Sequence, residues 1–441
     1  MVNPQDSIHR IGIYADDLTG ALDAAAPFAA AGMSTYVSVF GVVPDGAART
    51  HRVLSLNINT RHADRFPVFD KAARAAQELR AAGFTLLVNK IDSTLRGHAG
   101  MEARAGLTRE PSDPRDIDKQ GGWRGPKLAL IAPSFPAMGR TVVGGQVRVN
   151  GVPLAESEVG QDPLSPVASS EISELVDLNT GITPTSISLD DVRNGALDEL
   201  VSRLMGDPPV LAVCDAETDG DLALIVAAGT NSEGDIVLSG SAGITRALAR
   251  SLAQGTEIPE PTSTSVADPA TPVFIVSGSQ RSVTEGQLEF VAGEKFVDWL
   301  QIDPALLLSE DTEQATRDSA VARIVDALSS GQHAAVSLLR VDASDAGDDK
   351  TRTRLVRELG AICYRVVRRT RLGALVIIGG DTAQSSLRAV GSAGIVLHDE
   401  PLPGVPAGSI DGGLLNGVRV VTKAGAFGQE DVLVKVIDYL S

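Results

Sequence analysis

Short apolar runs alternate along this chain with longer stretches in which apolar residues recur at helical spacing. The runs "IGIYA", "STYVSVF", "RVLSLNINT", "FTLLVNKID", "KLALIAP", "PVLAVCDA" and "DIVLSG" read as strands. Patterns such as "FDKAARAAQELRAAG" lie between them and read as helices with one apolar face. Strand and helix in alternation predict a mostly parallel sheet with helices packed on it. The same style resumes later with "VFIVSG", "HAAVSLL", "ALVIIGG" and "VRVVTKAG". The expected fold class is therefore α/β, two domains, each a mostly parallel sheet covered by helices.

The division falls where the periodicity stops. In "GTEIPEPTSTSVADPATP", Gly255 to Pro272, Pro, Ser and Thr replace the apolar positions, which predicts a linker over 255–272 between a domain at 1–254 and another at 273–441. The polar, Gly/Pro-rich segment from Arg109 to Lys127 interrupts the first domain, but its flanks look like core elements of one body. It is expected to be an exposed excursion.

Composition narrows the class. A chain of 441 residues is more than one core usually serves, and 43% hydrophobic residues with only 4% aromatic and 44 Gly suit layered α/β packing. A net charge of -17 argues against nucleic acid and anionic membranes as partners, since both demand a basic face, yet it leaves room for a local basic pocket. Cys214 and Cys363 stand far apart and outside any CxxC pair, so they read as reduced core thiols. The start "MVNPQDSIHR" has no apolar h-region and no run reaches the roughly 18 apolar residues of a membrane span, so a cytoplasmic protein is expected.

The candidate chemistry lies where strands end. In "YADDLTGALDAAA", Asp16 and Asp17 fall between an apolar strand and an alanine-rich helix that continues past Pro27 to Gly32. The third strand ends in Asn59, Thr60 and Arg61, and the fourth in Lys90, Ile91, Asp92, Ser93, Thr94 and Arg96. If these strands are parallel, their C-terminal ends share the edge where open α/β sheets bind ligands. Cations there suit a carboxylate and aspartates suit hydroxyls. Two adjacent carboxylates at a helix N-terminus oppose the binding of a phosphate, so the first domain does not read as a nucleotide cradle. Asp17 or Thr19 also fits as a helix cap, but capping does not account for both aspartates together with Lys90 and Arg96. His62 and His98 lie beside the cluster, with a surface or supporting place as plausible for each as contact with substrate.

The second domain offers loops of another kind. "VSGSQ" (276–280), "IIGGDTAQ" (377–384) and "TKAGAFGQED" (422–431) follow apolar strands and present small residues through which backbone N–H groups can approach phosphates. They contain Ser277, Gly379, Gly380, Asp381, Thr382, Lys423 and Gly425. No Walker-type G-x-x-x-x-G-K-[ST], no G-x-G-x-x-G after a strand and no H-E-x-x-H occurs.

With "ADDLTGALDAA", "KIDSTLRGHAG", "APSFPAMGRTVVGGQVRVNGVPLAES", "LSGSAGITRALA", "VSGSQRSVTEGQ", "GGDTAQSSL" and "TKAGAFGQEDVL" assembled, the sequence resembles the four-carbon acid sugar kinase family, ATP-dependent kinases of threonate, erythronate or 3-oxo-tetronate. The resemblance implies an N-terminal acid-sugar-binding domain, a C-terminal nucleotide-binding domain and phosphoryl transfer from ATP to the terminal (4-) hydroxyl. It places Asp16 or Asp17, Arg61 and the run Lys90 to Ser93 at substrate, and Ser277, Gly379 to Thr382 and Gly425 at ATP. The excursion 109–127 departs from the family pattern.

On this basis Asp17, with Asp16 second, is expected to orient or deprotonate the accepting hydroxyl. Arg61 and Lys90 are expected to hold the substrate carboxylate, and Lys423 or Arg96 to meet the transferring phosphate. Mg²⁺ is expected with ATP, with no protein ligand assigned to it. The expected partners are a small acid sugar and ATP, with the oligomeric state open and a homodimer compatible. Two other readings compete: a non-catalytic sugar-acid sensor, which has no use for three phosphate-compatible loops, and a haloacid dehalogenase-type phosphatase. The phosphatase needs D-x-D, whereas Ala15 stands two before Asp17 and Leu18 two after Asp16.

Overall fold

The computed structural model describes residues 9–108, 127–161, 166–205, 209–231, 236–253, 272–295, 297–341 and 348–441. The expected linker 255–272, but for Pro272, and the excursion 109–127, but for Lys127, lie outside the described residues. The chain divides into two compact units, Met1–Ile258 and Pro259–Ser441.

In the first unit the strands are β1 (Ile11–Ala15), β2 (Thr35–Ser38), β3 (Val53–Asn57), β4 (Leu86–Lys90), β5 (Leu128–Ala132), β6 (Arg140–Val143), β7 (Gln146–Val149), β8 (Val152–Pro153), β9 (Thr185–Ile187), β10 (Val210–Cys214) and β11 (Ile236–Gly240). The main sheet runs β2-β3-β1-β4-β11-β5-β10-β9, with every pairing parallel. β1, β3, β4 and β5 are buried along their whole length, as continuous apolar strands covered on both faces must be. Helices such as Leu18–Ala30 and Arg65–Ala81 connect the strands and bury Phe28, Phe69 and Leu79.

The chain leaves β1 toward β2 and β3 on one side, then crosses back to place β4 on the other. That reversal makes the C-terminal ends of β1, β3 and β4 a topological switch point, the crevice in which such sheets bind ligands.

The helix Leu18–Ala30 shows why the sequence folds this way locally. Asp17 is its N-cap, accepting a hydrogen bond from Gly20 N at 2.7 Å, so the helix begins three residues before the alanine run. It is apolar nearly all round and buried, which lets packing offset the hydrogen bond lost at Pro27. At the far end Gly32 turns to φ +77°, with Gly32 N donating to Ala29 O and Met33 N to Phe28 O, the paired bonds of a Schellman stop.

The second unit contains β12 (Val273–Ser277), β13 (Asp298–Ile302), β14 (Ala334–Leu338), β15 (Ala374–Ile378), β16 (Gly394–Leu402), β17 (Val405–Asp411) and β18 (Arg419–Lys423). Its strand order is β13-β14-β12-β15-β18-β17-β16, parallel through β18 and antiparallel at β17 and β16. Here too the chain runs outward from the first strand and returns to the other side, so β12 and β15 flank a second switch point. Ile275, Leu288, Val291, Val376, Val421 and Val436 belong to its core.

Both cysteines are free and buried, as expected, and burial pushes the Cys363 thiol up to about 12. No described helix is long and apolar enough to cross a membrane. Several strands lie outside the set read from apolar runs. β6 and β7 form a hairpin through Gly144 and Gly145, both at positive φ, with Val142, Val147 and Val149 turned to the core. β13 is a half-buried edge strand, and β16 carries register shifts around Asp399, so neither shows an uninterrupted apolar run.

β11 closes against β5 through a glycine. A Cβ at Gly240 would strike the backbone carbonyl of Ala132, an atom that no rotamer change can move aside. Gly240→Ala is therefore expected to destabilise the first unit by about 1–3 kcal/mol, the usual cost of overpacking. Urea denaturation reads it: an unchanged midpoint with a normal slope rejects this account of the close approach.

Candidate active site

At the first switch point one guanidinium joins two strand ends. Arg61, just beyond β3, donates from Nε to Asp16 Oδ2, from Nη2 to Asp16 Oδ1 and from Nη1 to Asp17 Oδ2, each at 2.8 Å. The backbone repeats the union, since Thr60 N and Arg61 N donate to the Asp16 carbonyl at 2.8 and 3.2 Å. Asp16 is 1% exposed, whereas the Asp17 side chain is 19% exposed. Burial pushes the Asp16 carboxyl upward against the pull of Arg61, and Asp17 adds to the push. Burial also works against the charge on Arg61, but Asp16, Asp17 and Asp92 together hold it well above its ordinary value.

Two glycines make the cluster possible. A Cβ at Gly20 would lie 2.6 Å from Asp17 Oδ1 and 3.3 Å from Lys90 Nζ. Gly97, at φ +89°, brings the loop after β4 to within 3.4 Å of Asp16 Oδ2, measured from an added Cβ.

The end of β4 supplies the rest. Lys90 is buried and donates from Nζ to its neighbour's carbonyl, Ile91 O, at 2.9 Å, while the Ile91 side chain packs into the core. Asp92 accepts from Thr94 Oγ1 at 2.5 Å and from Arg96 Nε at 2.6 Å and Nη2 at 3.1 Å. Burial opposes its charge, yet Arg96 and Arg61 hold the carboxyl well below the usual carboxylate range. Leu95 sits at φ +56°, and Ser93 lies half-buried beside Thr94. Thus the structure brings Asp16, Asp17, Arg61 and Lys90 together, with Asp92 and Arg96 as an adjoining pair. His98 donates from Nε2 to the Ala63 carbonyl at 2.9 Å, a loop contact, and His62 is exposed.

Two residues outside the expected set belong to this edge. Glu102, on the helix Ala99–Gly106, is 0% exposed; Oε1 accepts from Thr60 Oγ1 at 2.5 Å and Oε2 has no partner. Burial, with the charge of Asp16 second, pushes its carboxyl up to about 8. Arg140 opens β6, is half-buried and feels the charges of Asp92 and Arg96. Glu102 sits in "HAGMEARAG", which reads from sequence as an ordinary helix, and Arg140 belongs to a hairpin that the apolar runs do not reveal.

The second switch point is built for backbone approach. The helix Ser282–Lys295 follows β12 and the helix Gly380–Ala389 follows β15, so two helix N-termini, each with unsatisfied N–H groups, meet the strand ends. Ser277 is fully buried with its Oγ unpartnered. A Cβ at Gly278 would strike Thr382 Oγ1, one at Gly425 would strike Ser279 Oγ, and Gly379 adopts φ +102°. Thr284 Oγ1 donates to Gly425 O at 2.7 Å, and Gln287 Nε2 donates to the carbonyls of Phe427, Gly428 and Gln429. Lys423 Nζ donates to Ala424 O and Phe427 O at 2.9 Å, and burial brings its amine down to about 8. Asp381 is exposed in the first turn of its helix. No group of three or more His, Cys, Asp or Glu side chains suited to a metal occurs among the described residues.

Comparison with known proteins gives these features a context. Residues 11–248 match a family model described as a sugar-binding N-terminal domain, and residues 274–433 one described as a nucleotide-binding C-terminal domain. The chain is 30% identical to a D-threonate kinase of Salmonella typhimurium over 97% of each chain, and 34% identical to one of Bordetella bronchiseptica over 96% of each. A D-erythronate kinase of Heliobacterium modesticaldum is 26% identical over 98% of this chain and 97% of its own. Two solved structures share the fold: one from Salmonella typhimurium with TM-score 0.75 at 22% identity, covering 97% of this chain and 98% of its own, and one from Haemophilus influenzae with 0.71 at 21%, covering 98% and 100%. From sugar-binding and nucleotide-binding halves in this order, and relatives named as kinases along nearly the whole length, it follows that the chain belongs to the four-carbon acid sugar kinase family.

Proposed function

We propose that this enzyme transfers a phosphoryl group from ATP to the 4-hydroxyl of a four-carbon acid sugar, with D-threonate the first candidate. The reading rests chiefly on the switch point of the first unit, where carboxylates suited to hydroxyls and cations that hold them in place form one cluster at the ligand-binding edge. The names of the relatives at 30–34% identity favour D-threonate over erythronate and 3-oxo-tetronate, whose kinases match at 25–27%.

The first unit takes the acid sugar and the second the nucleotide. The orphaned Ser277 Oγ and the glycine cradle of Gly278, Gly379 and Gly425 fit a polyphosphate, which would draw its hydrogen bonds from backbone N–H groups and from Gly380, Asp381 and Thr382 at the helix start. Lys423 adds positive charge beside it. Mg²⁺ in kinases is held largely by the phosphates with one or two carboxylates, so the residues present assign it no fixed ligand.

Asp17 is the more accessible aspartate and orients the sugar hydroxyl, taking its proton as the bond to phosphorus forms. The Gly20 N–H and the Arg61 guanidinium hold Asp17 in place. Because phosphoryl transfer depends on positioning and electrostatics more than on covalent chemistry, a carboxylate fixed by a cap and a guanidinium suits the task.

ADP release with Mg-ATP against the D- and L-isomers of threonate and erythronate and the 3-oxo-tetronates tests the reading: D-threonate should give the highest kcat/KM, and silence across the panel refutes it. Asp17→Asn keeps the helix cap but removes the base, and should lower kcat by about two to four powers of ten; near-normal turnover excludes that role. The amine of Lys423 is charged below about pH 8 and neutral above, so kcat/KM for ATP should fall as pH rises through about 8. Lys423→Arg, which stays charged, should move that fall to higher pH, and a superimposable profile would remove Lys423 from the step.

A further inference from the structure

The cations expected to meet the substrate carboxylate are already engaged. Arg61 spends three of its five N–H donors on Asp16 and Asp17, Arg96 is ion-paired with Asp92, and Lys90 Nζ is turned to Ile91 O. Reassigning any of them to a ligand would leave a buried carboxylate or carbonyl short of its partner, which is costly in a dry site.

Arg140 is different. It stands at the start of β6, directly after the turn that follows β5, and β5 ends on the same edge as β4 and β11. Phe135 and Arg140 are bridged by backbone hydrogen bonds, which fixes the root of the side chain. The guanidinium is near enough to Asp92 and Arg96 to feel both charges, yet its side-chain hydrogen bond goes to a carbonyl, Met138 O, through Nη1, and its buried Nε has no partner. No carboxylate forms an ion pair with it among the described residues. A half-buried guanidinium with an unmet buried donor, beside a neutralised acid–base cluster, is a site prepared for an anion brought by the ligand.

We propose that Arg140 binds the carboxylate of the acid sugar, which makes it the residue that distinguishes the acid from its neutral analogues. The inference rests on the acid-sugar reading of the first unit and gives the hairpin β6–β7 a purpose there: it carries a cation to a cleft whose own strand-end cations are balanced.

The test is calorimetric binding of D-threonate and of its neutral amide, without nucleotide, to the wild-type chain, Arg140→Gln and Arg140→Lys, each checked by circular dichroism and thermal melting. Wild type should prefer the acid. Arg140→Gln should weaken the acid roughly ten- to hundredfold, the range for a lost charge-assisted hydrogen bond, and abolish the preference. Arg140→Lys should retain part of it, and KM for ATP should stay unchanged in both variants. If Arg140→Gln folds and still prefers the acid as wild type does, Arg140 is not the carboxylate ligand, and the kinase reading stands untouched. Should Arg140→Gln fail to fold, Arg140→Lys decides, because loss of the bidentate fork must reduce the preference. If wild type itself makes no distinction between acid and amide, the acid-sugar reading and this assignment fall together.

Discussion

The ion bridge from Arg61 to Asp16 and Asp17 is the constraint on which the first unit's site depends. Two adjacent carboxylates at a buried strand end repel one another and lose hydration, and a single guanidinium that serves three of their oxygens makes the arrangement tenable. The bridge also fixes chain geometry: it ties the end of β3 to the end of β1 across a switch point, with the Asp16 carbonyl taking two backbone N–H groups of the same loop. Losing one partner of such a buried arrangement costs about 3–5 kcal/mol; Gly20 stands where a Cβ would crowd Asp17 Oδ1, and Gly97 lets the loop turn at φ +89° beside Asp16.

The two units reach comparable edges by the same winding but furnish them differently. The first fills its strand ends with charged side chains that satisfy one another. The second keeps its strand ends small, with Gly278, Gly379 and Gly425 packed against hydroxyls of Thr382 and Ser279, so that backbone and helix N-termini face the opening. Charge recognition by side chains suits a small ligand with fixed hydroxyls; recognition by backbone N–H groups suits phosphate oxygens.

Most of the architecture was legible in the sequence because parallel strands buried on both faces need unbroken apolar runs, and "IGIYA", "KLALIAP" and "ALVIIGG" are such runs. The polar residues that follow them, Asp16, Asp17, Arg61 and Lys90, could be grouped because parallel strands end on one edge. What could not be read was pairing. Arg61 looked free to take a substrate carboxylate, and only coordinates show its donors committed to two aspartates. Glu102 and Arg140 escaped notice for a related reason: one lies on a helix that passes behind the cluster, the other in a hairpin whose half-exposed strands alternate in polarity.

Glu102 gives the site a further property. Its carboxyl is shut away from water, bonded at one oxygen to Thr60 and pushed up to about 8, so at neutral pH it holds a proton next to Asp16. An anion arriving at this edge raises the proton affinity of that carboxyl further. Around pH 8 and above, where that carboxyl is partly ionised before the ligand arrives, ligand uptake is thereby linked to proton uptake, and the heat of binding there contains the ionisation heat of the buffer that surrenders the proton.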